Sequence, residues 1–383
     1  MKYMIYLDNG ATSFPKPHSV YSEMMKAMKT CGGNPGRGSN TLARRASDTI
    51  YKLRECAAEM FGAESENVIL TYNATHALNL AIKGLARDGC HILMSDIEHN
   101  SVRRPVASLC RQRGCTYDVY PSCGGDAGKI IENLQKLVKD NTKLLVMCHT
   151  SNIANLTLPA YEIGKFCRKR GIAYVIDASQ SAGHIPVDLK HFGADAVCIP
   201  GHKGLYGPAG TGLLIIRDGQ MIEGLMEGGS GVNSIEDTMP DFYPDRLEAG
   251  TLSAPLAAGL CRGISWVRCV GIQNIHAHEC ELSGLLLDYL CDMDGIRVYN
   301  GGAGQLTSTV LFNVSAIPSV RVGELLDNSG ICVRCGLHCS PLAHKTLKTG
   351  DGGAVRVSFG AFNTVDHVRR LVDEVHYIKK YEN

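Results

Sequence analysis

At 383 residues and a formal charge of +1, with acids and bases interspersed, the chain has room for two or three domains. It lacks the basic face of a nucleic-acid binder and the polybasic patch of a membrane-surface protein. No apolar run approaches the roughly 20 residues of a membrane span, and Met1-Lys-Tyr-Met-Ile-Tyr-Leu7 meets Asp8 too soon to be the core of an export signal. The 16 cysteines are scattered, many inside apolar runs. That spacing is not a disulfide scaffold and predicts mostly reduced core fillers. A soluble, cytoplasmic α/β enzyme or binding protein is expected.

In chain order, residues 1–7 read as a short edge strand and 10–17 as turn. Residues 18–29 form an amphipathic helix, and Cys31-Gly-Gly-Asn-Pro-Gly-Arg-Gly38 is too glycine-rich to be regular. A helix over 41–61 carries Ala43, Ala46, Ile50 and Leu53 at helical spacing. The rhythm then changes. Val68-Ile-Leu70, Ile92-Leu-Met94, Leu144-Leu-Val-Met-Cys148, Tyr174-Val-Ile176 and Ala196-Val-Cys-Ile199 are short continuous apolar runs, and helical patterns over 77–86, 101–113 and 160–170 separate most of them. Such alternation predicts a mostly parallel sheet buried on both faces. Residues 211–216 add a strand, 224–244 a long functional loop, and 254–290 a helical stretch. A smaller α/β pattern follows: strand 307–314, helix 320–328, strands 331–334 and 354–359, and a closing helix over 365–381. The domain break is expected within 250–260.

In an open parallel sheet, ligands sit just past the carboxyl ends of the strands. Asn73-Ala74-Thr75 follow the first of these runs, Glu98-His99 the second, Ser151-Asn152 the third, Asp177 and Gln180 the fourth, and His202-Lys203 the fifth. Lys203 sits in Pro200-Gly-His-Lys-Gly-Leu-Tyr-Gly207, a glycine density that a plain surface loop does not need. These are the parts that pyridoxal phosphate asks for: a lysine for its aldehyde and a carboxylate to keep the ring nitrogen protonated. The helix start at Ala74 and Thr75 suits its phosphate, and His99 could stack on the ring. Singly, each has a plainer reading. Asp177 could be a helix cap, His99 a structural histidine, Asn152 and Thr75 turn formers, and Lys203 a solvated loop lysine. Their joint placement favours the cofactor.

The series Tyr6-Leu-Asp-Asn-Gly-Ala-Thr12, Thr71-Tyr-Asn-Ala-Thr-His-Ala-Leu-Asn79, Glu98-His-Asn100, His149-Thr-Ser-Asn152, Asp177-Ala-Ser-Gln180, Gly201-His-Lys203 and Glu248-Ala-Gly-Thr251 resembles the class V aminotransferase group of fold-type I pyridoxal-phosphate enzymes. Within it the resemblance is to the cysteine desulfurase and selenocysteine lyase family, over essentially the whole chain. It implies a large domain (16–255) with a mostly parallel seven-stranded sheet flanked by helices. A smaller α/β domain would be built from 1–15 and 256–383. It implies Lys203 as Schiff-base lysine, Asp177 at the ring nitrogen, Gln180 and Asn152 on the ring-oxygen side, and His99 stacking. Thr75 and His202 would hold the phosphate, with Thr251 reaching it across a homodimer interface. Pro200 stands where relatives often carry a phosphate-binding serine, so one contact is missing.

Arg334-Cys-Gly-Leu-His-Cys339-Ser-Pro341 looks like the family's short active-site loop, with Cys339 at the persulfide-forming position. Arg356 matches the arginine that grips the substrate carboxylate, as a guanidinium does bidentately, and Arg334 is a second substrate contact. A thiol beside Arg334 and His338 can be biased toward thiolate. The implied reaction takes L-cysteine or L-selenocysteine to L-alanine, with Lys203 and His99 moving protons. The Cys339 persulfide passes to an acceptor protein or thiol. Plainer readings make Arg356 an ordinary ion pair and Cys339 an inert thiol. Alternatives are a selenocysteine lyase, cysteine-sulfinate desulfination, a transaminase or epimerase, and a sulfur carrier with little turnover of its own. Cys332, Cys335, His338 and Cys339 also spell a possible metal-binding Cys-x2-Cys-x2-His-Cys. Cys332 alternates with Val333 in an apparent strand, so no metal is expected, and Cys335 is left as a possible relay thiol.

Overall fold

A computed structural model describes residues 4–36, 38, 40–299 and 307–382. The first part runs β1 (Ile5–Tyr6), α1 (His18–Thr30), α2 (Thr41–Phe61), β2 (Val68–Thr71), α3 (Ala74–Leu85), β3 (His91–Ser95), α4 (Asn100–Arg113) and β4 (Thr116–Tyr120). Then come α5 (Ala127–Leu137), β5 (Thr142–Cys148), α6 (Ala160–Arg170), β6 (Ala173–Asp177), α7 (Leu189–Phe192), β7 (Ala196–Pro200) and β8 (Gly212–Ile216). After residues 221–244, which hold no helix or strand, come α8 (Ala254–Val270), α9 (Ile272–Cys291), β9 (Ile296–Tyr299), β10 (Thr309–Val314) and α10 (Ser319–Asn328). The chain closes with β11 (Ile331–Cys332), β12 (Arg334–Gly336), α11 (Pro341–Leu347), β13 (Ala354–Ser358) and α12 (Val365–Tyr381).

Local chemistry sets these boundaries. Asn40 caps α2 by accepting from the Ala43 N–H, and Gly62 ends it at φ +71°. Asn73 caps α3 through the His76 N–H, and Thr364 caps α12 through His367. The helical stretch expected over 254–290 is two helices, because Gly271 at φ +90° breaks the ladder between them.

Seven strands form one sheet in the order β2-β8-β7-β6-β5-β3-β4. Only β8 runs against the rest: it pairs antiparallel with both β2 and β7, so β2 points the same way as the parallel strands. The carboxyl ends of six strands therefore share one edge. β3, β5, β7 and β8 are buried at every position but one, Lys143, as a sheet covered on both faces requires. β4 and α5 were not anticipated. Thr-Tyr-Asp-Val-Tyr lies on the outermost strand and leaves its first two residues exposed, so no apolar run marks it.

A second sheet has the order β12-β13-β10-β9. The strand expected over 331–334 is divided. Ile331 pairs parallel with Ile5, whereas Arg334 pairs antiparallel with Arg356. Of the edge strand expected over 1–7, only Ile5–Tyr6 is strand, and Met1 to Tyr3 lie outside the described residues. Ile5 and Leu7 pack with Leu286, Phe312, Val357 and Leu371, so the start of the chain shares a core with its end. Among the described residues no helix is long and apolar enough to cross a membrane.

Candidate active site

The middle strands bring Cys148, Asp177 and Cys198 side by side as register partners at the carboxyl edge. Asp177 is buried, and its Oδ1 accepts from the Ser179 N–H at 2.9 Å. Lys203 follows three residues after β7, on a turn closed by Tyr206 N–H to Lys203 O and Gly207 N–H to Gly201 O, both 2.8 Å. Close packing explains the glycines around it. A Cβ at Gly204 would sit 2.3 Å from the Ala182 carbonyl oxygen, and one at Gly201 would sit 2.1 Å from Thr211 Oγ1. Burial pulls the Lys203 amine down to about 8. Asp177 works against that shift, while Arg356 and Arg334 reinforce it. Part of the population is therefore a free, nucleophilic amine near neutral pH.

The peptide before Lys203 is clamped from the N-terminal segment. The His202 carbonyl accepts from Ser13 N–H (2.9 Å), Thr12 Oγ1 and Ser13 Oγ (both 3.1 Å) and Lys16 Nζ (3.3 Å). Burial holds Lys16 down to about 8 and His202 down to about 4, and His202 Nδ1 is buried without a partner among the described residues.

His99 is the N-cap of α4. Its Nδ1 accepts from the Ser101 N–H at 3.0 Å, so the neutral ring carries its proton on Nε2. Burial, then the cations Lys203, Arg334 and Arg356, push it down to about 4 against the pull of Asp177. Ser101 Oγ meets His99 Nδ1 at 2.9 Å and Thr75 Oγ1 at 2.8 Å, linking the starts of α3 and α4. The first N–H groups of α3, at Ala74 and Thr75, have no partner within the helix. Glu98 is fully buried, and desolvation pushes its carboxyl up to about 8. It accepts from Ser95 Oγ (2.5 Å) and Cys148 N–H (2.7 Å), bolting β3 to β5 beneath the site.

The second sheet supplies the other wall. Arg356 on β13 lies across from Arg334 on β12. It is 1% exposed, pairs Nη2 with Asp8 Oδ1 at 2.5 Å, and gives Nη1 to the Asn152 carbonyl at 3.3 Å. Its Nε has no partner among the described residues. Asn152 reaches into the Cys339 loop, donating Nδ2 to the His338 carbonyl (3.0 Å) and accepting from Ser340 Oγ (2.8 Å). Gln180 Nε2 donates to the Gly10 carbonyl at 2.9 Å.

Cys339 is exposed on the turn between β12 and α11, at φ +57° after His338 at +50°. Its carbonyl accepts from the Asn100 N–H at 2.8 Å, which stitches the loop to α4, and its Sγ is 3.9 Å from Arg334 Nη2. His338 does not face the thiol, contrary to expectation. It is buried, its Nδ1 meets His344 Nε2 at 3.0 Å, its Nε2 meets the Arg334 carbonyl at 3.2 Å, and burial pushes it down to about 3. Arg334 is thus the cation at the sulfur.

The Cys-x2-Cys-x2-His-Cys side chains diverge. Cys332 Sγ lies 3.9 Å from Asp327 Oδ1, Cys335 Sγ is turned against α10 at Gly323, His338 meets His344, and Cys339 meets Arg334. Among the described residues no group of three or more His, Cys, Asp or Glu is arranged to hold a metal. Thr251 Oγ1 accepts from Asn34 Nδ2 at 3.2 Å. Pro200 pairs with Gly212 at the end of β7. Asp8, Lys16, Ser101 and His344 had drawn no attention as site residues. Asp8 lies inside Tyr6-Leu-Asp-Asn-Gly-Ala-Thr12, which was the available signal.

Comparison with known proteins bears on this arrangement. The aminotransferase class-V family matches residues 5–371. A "probable cysteine desulfurase" of Methanothermobacter thermautotrophicus is 33% identical over 377 residues, covering 96% of this chain and 92% of that protein. A "probable cysteine desulfurase 2" of Mycobacterium leprae is 31% identical over 384 residues, covering 96% and 90%. The apo structure of the cysteine desulfurase from Thermococcus onnurineus NA1 superposes with a TM-score of 0.89 at 30% identity, over 98% of this chain and 95% of that one.

Proposed function

The chain belongs to the aminotransferase class-V family, and from that premise we propose that it is a cysteine desulfurase that uses pyridoxal 5′-phosphate. It takes sulfur from L-cysteine and leaves L-alanine. The observation that carries this reading is the meeting of three groups at one edge. They are an amine tuned toward neutrality beside Asp177, a buried guanidinium with an unused N–H, and an exposed thiol beside a second guanidinium.

The residues present fit the cofactor. The unpartnered His202 Nδ1 and the open first turn of α3 at Ala74 and Thr75 suit an anionic phosphate. Asp177 would hold the ring nitrogen, Lys203 the aldehyde carbon and His99 a ring face, with Asn152 and Gln180 flanking the ring. Thr251 would complete the phosphate site of a homodimer partner. When bound, the group supplies an electron sink beside the substrate's α-carbon.

Arg356 binds the substrate carboxylate through its unsatisfied face, with Arg334 closing the other side. Lys203 removes the α-proton. The Cys339 thiolate attacks the substrate sulfur: an S–S bond forms, the C–S bond breaks, and its electron pair stays with the carbon fragment. That fragment takes up two protons, the α-proton and the one the substrate thiol gave up, both returned through the Lys203 amine. In net terms one sulfur atom moves to Cys339, and the hydrogen it carried ends on L-alanine. An acceptor thiol, on a protein or a small molecule of the cytoplasm, then attacks the outer sulfur and releases Cys339.

The test is paired. Cys339→Ala is expected to retain the cofactor's visible absorption and lose alanine release from L-cysteine, whereas Lys203→Ala loses both. Desulfuration at full rate by Cys339→Ala would overturn the proposal.

A further inference from the structure

Behind the Lys203 turn lies a buried acid–base pair that the desulfuration steps do not use. His184 follows β6 in a tight turn, where the His184 and Ile185 N–H groups both donate to the Ser181 carbonyl, at 3.0 and 2.9 Å. Its Nδ1 donates to Glu279 Oε2 on α9 at 2.7 Å. His184 is 9% exposed and Glu279 0%, and Glu279 Oε1 has no partner among the described residues. Taking a carboxylate out of water for so few hydrogen bonds costs free energy. Apolar side chains in place of such a pair often leave a protein at least as stable. Stability alone is therefore a poor reason for it.

Its position supplies a better one. A Cβ at Gly204 would lie 2.6 and 2.7 Å from His184 Cδ2 and Nε2, and one at Gly183 would lie 2.1 Å from the Gly204 carbonyl oxygen. The imidazole edge and its turn thus press directly on the residue after Lys203. On the far side, Leu282, Leu286 and Leu290 of α9 share a core with Val355 and Val357, the neighbours of Arg356. The pair therefore ties the turn that carries Lys203 to the strand that carries Arg356.

Charge points the same way. Burial disfavours the charged ring, but Glu279 outweighs it and holds His184 above its ordinary value, with Lys203 opposing. The other titratable groups around the pair are His276 and Cys280 on α9 and Tyr206 after the Lys203 turn. Burial pushes His276 down, Cys280 up to about 11 and Tyr206 up, so none of the three carries a charge at neutral pH. The charge that Lys203 meets from this side is the imidazolium.

Resting on the reading of Lys203 as the residue that bonds the cofactor, we propose that His184 and Glu279 are positioning residues for Lys203. Glu279 fixes the ring, and the ring, braced on Gly204, sets the depth at which the turn holds the amine. The like charge of the imidazolium favours the unprotonated amine, the form that removes a proton.

The test loads the wild-type chain and two variants with pyridoxal 5′-phosphate and titrates the visible absorption from about pH 6 to about pH 10, spanning the histidine and lysine ranges. Glu279→Gln keeps an acceptor for Nδ1–H and removes the charge that sustains the imidazolium. His184→Asn removes the ring itself, so the question is asked from both sides of the contact. Each variant is expected to move the titration midpoint up by about half a pH unit as the like charge disappears. Alanine release at pH 7 should then fall roughly 3-fold, the factor set by half a pH unit, and recover above about pH 9. KM for L-cysteine stays unchanged, because Arg356 is intact. A merely structural pair would weaken the fold in urea and leave the spectral titration where it was. An unmoved midpoint, or a downward shift, in whichever variant folds overturns the positioning role and leaves the reading of Lys203 standing. A wild-type chain that gains no visible absorption overturns that reading, and the positioning role with it.

Discussion

Arg54 and Arg356 are both buried guanidiniums, yet their hydrogen bonding differs. Arg54 forks onto Glu248 at 2.9 and 2.5 Å and gives a further bond to the Val68 carbonyl, while Glu248 also accepts from the Leu70 N–H at 2.6 Å. Arg356 reaches one oxygen of Asp8 and, at 3.3 Å, one carbonyl, and its Nε is left without a partner among the described residues. A buried charge is tolerated when its hydrogen-bonding capacity is filled, and an unfilled donor costs free energy that a suitable anion recovers. The closed pair is a structural bolt joining α2 to the approach to Thr251. The open pair is a site.

Breaking each pair separately should give opposite phenotypes. Arg54→Ala strands Glu248, whose side chain is 5% exposed, and should cost about 3–5 kcal/mol in urea unfolding. Arg356→Ala leaves Asp8, 18% exposed, able to hydrate, so its stability cost is smaller. Its kcat/KM for L-cysteine should instead fall roughly 10²–10³-fold, from the about 3–4 kcal/mol of a truncated charge pair. If Arg356→Ala unfolded while Arg54→Ala stayed stable and slow, the distinction between bolt and site would be gone.

The same pair shows what the sequence could disclose. Lys203, Asp177 and His99 each follow an apolar run whose length announces a buried strand, so their common edge was legible before any coordinates. Arg356 was legible as a charge inside Val355-Arg-Val-Ser-Phe359, where only a partner or a ligand justifies burial. Asp8 was not legible as that partner, because it lies 348 residues away and is delivered by tertiary packing of the N-terminal segment. Strand β4 escaped notice because an outermost strand needs no continuous apolar run. His338 was misassigned to the thiol on adjacency alone. Positive φ at both His338 and Cys339 turns the chain there, and the imidazole lies against His344 while the sulfur stays exposed.

Asp8 sharpens the comparison, because its two roles pull in opposite directions. It orients Arg356, and its charge repels an incoming carboxylate. Asp8→Asn keeps an acceptor and removes the charge, so KM should fall about 3-fold, the scale of one partly screened charge. Asp8→Ala removes both, and kcat/KM should drop roughly 10-fold, near the lower end for a charged hydrogen bond. Identical kinetics for the two variants would mean that Asp8 does not orient the guanidinium.

The smallest effect concerns histidines, where filled and unfilled groups recur. His202 Nδ1 is open, whereas His338 and His344 belong to a closed chain. The Arg334 carbonyl can only accept, so His338 carries its proton on Nε2 and accepts at Nδ1 from His344 Nε2–H. His344 Nδ1 in turn accepts from the Thr349 hydroxyl at 2.7 Å. Both rings are neutral, pushed down by burial to about 3 and about 4. The unfolded chain protonates each near the ordinary value of about 6.5, so between pH 6.5 and 4 it binds protons that the folded chain refuses. Stability contributed by the pair is complete above pH 6.5 and is lost as the pH falls. His344→Phe retains the stacked ring and removes one of the two titrations. Its unfolding free energy should decline less steeply below pH 6.5, by about 1.4 kcal/mol per pH unit, at a cost near neutrality of about 1 kcal/mol for the lost hydrogen bonds. Urea titrations at pH 7, 6 and 5 measure that slope. An unchanged slope would mean that the imidazole chain does not hold the Cys339 loop in its neutral form.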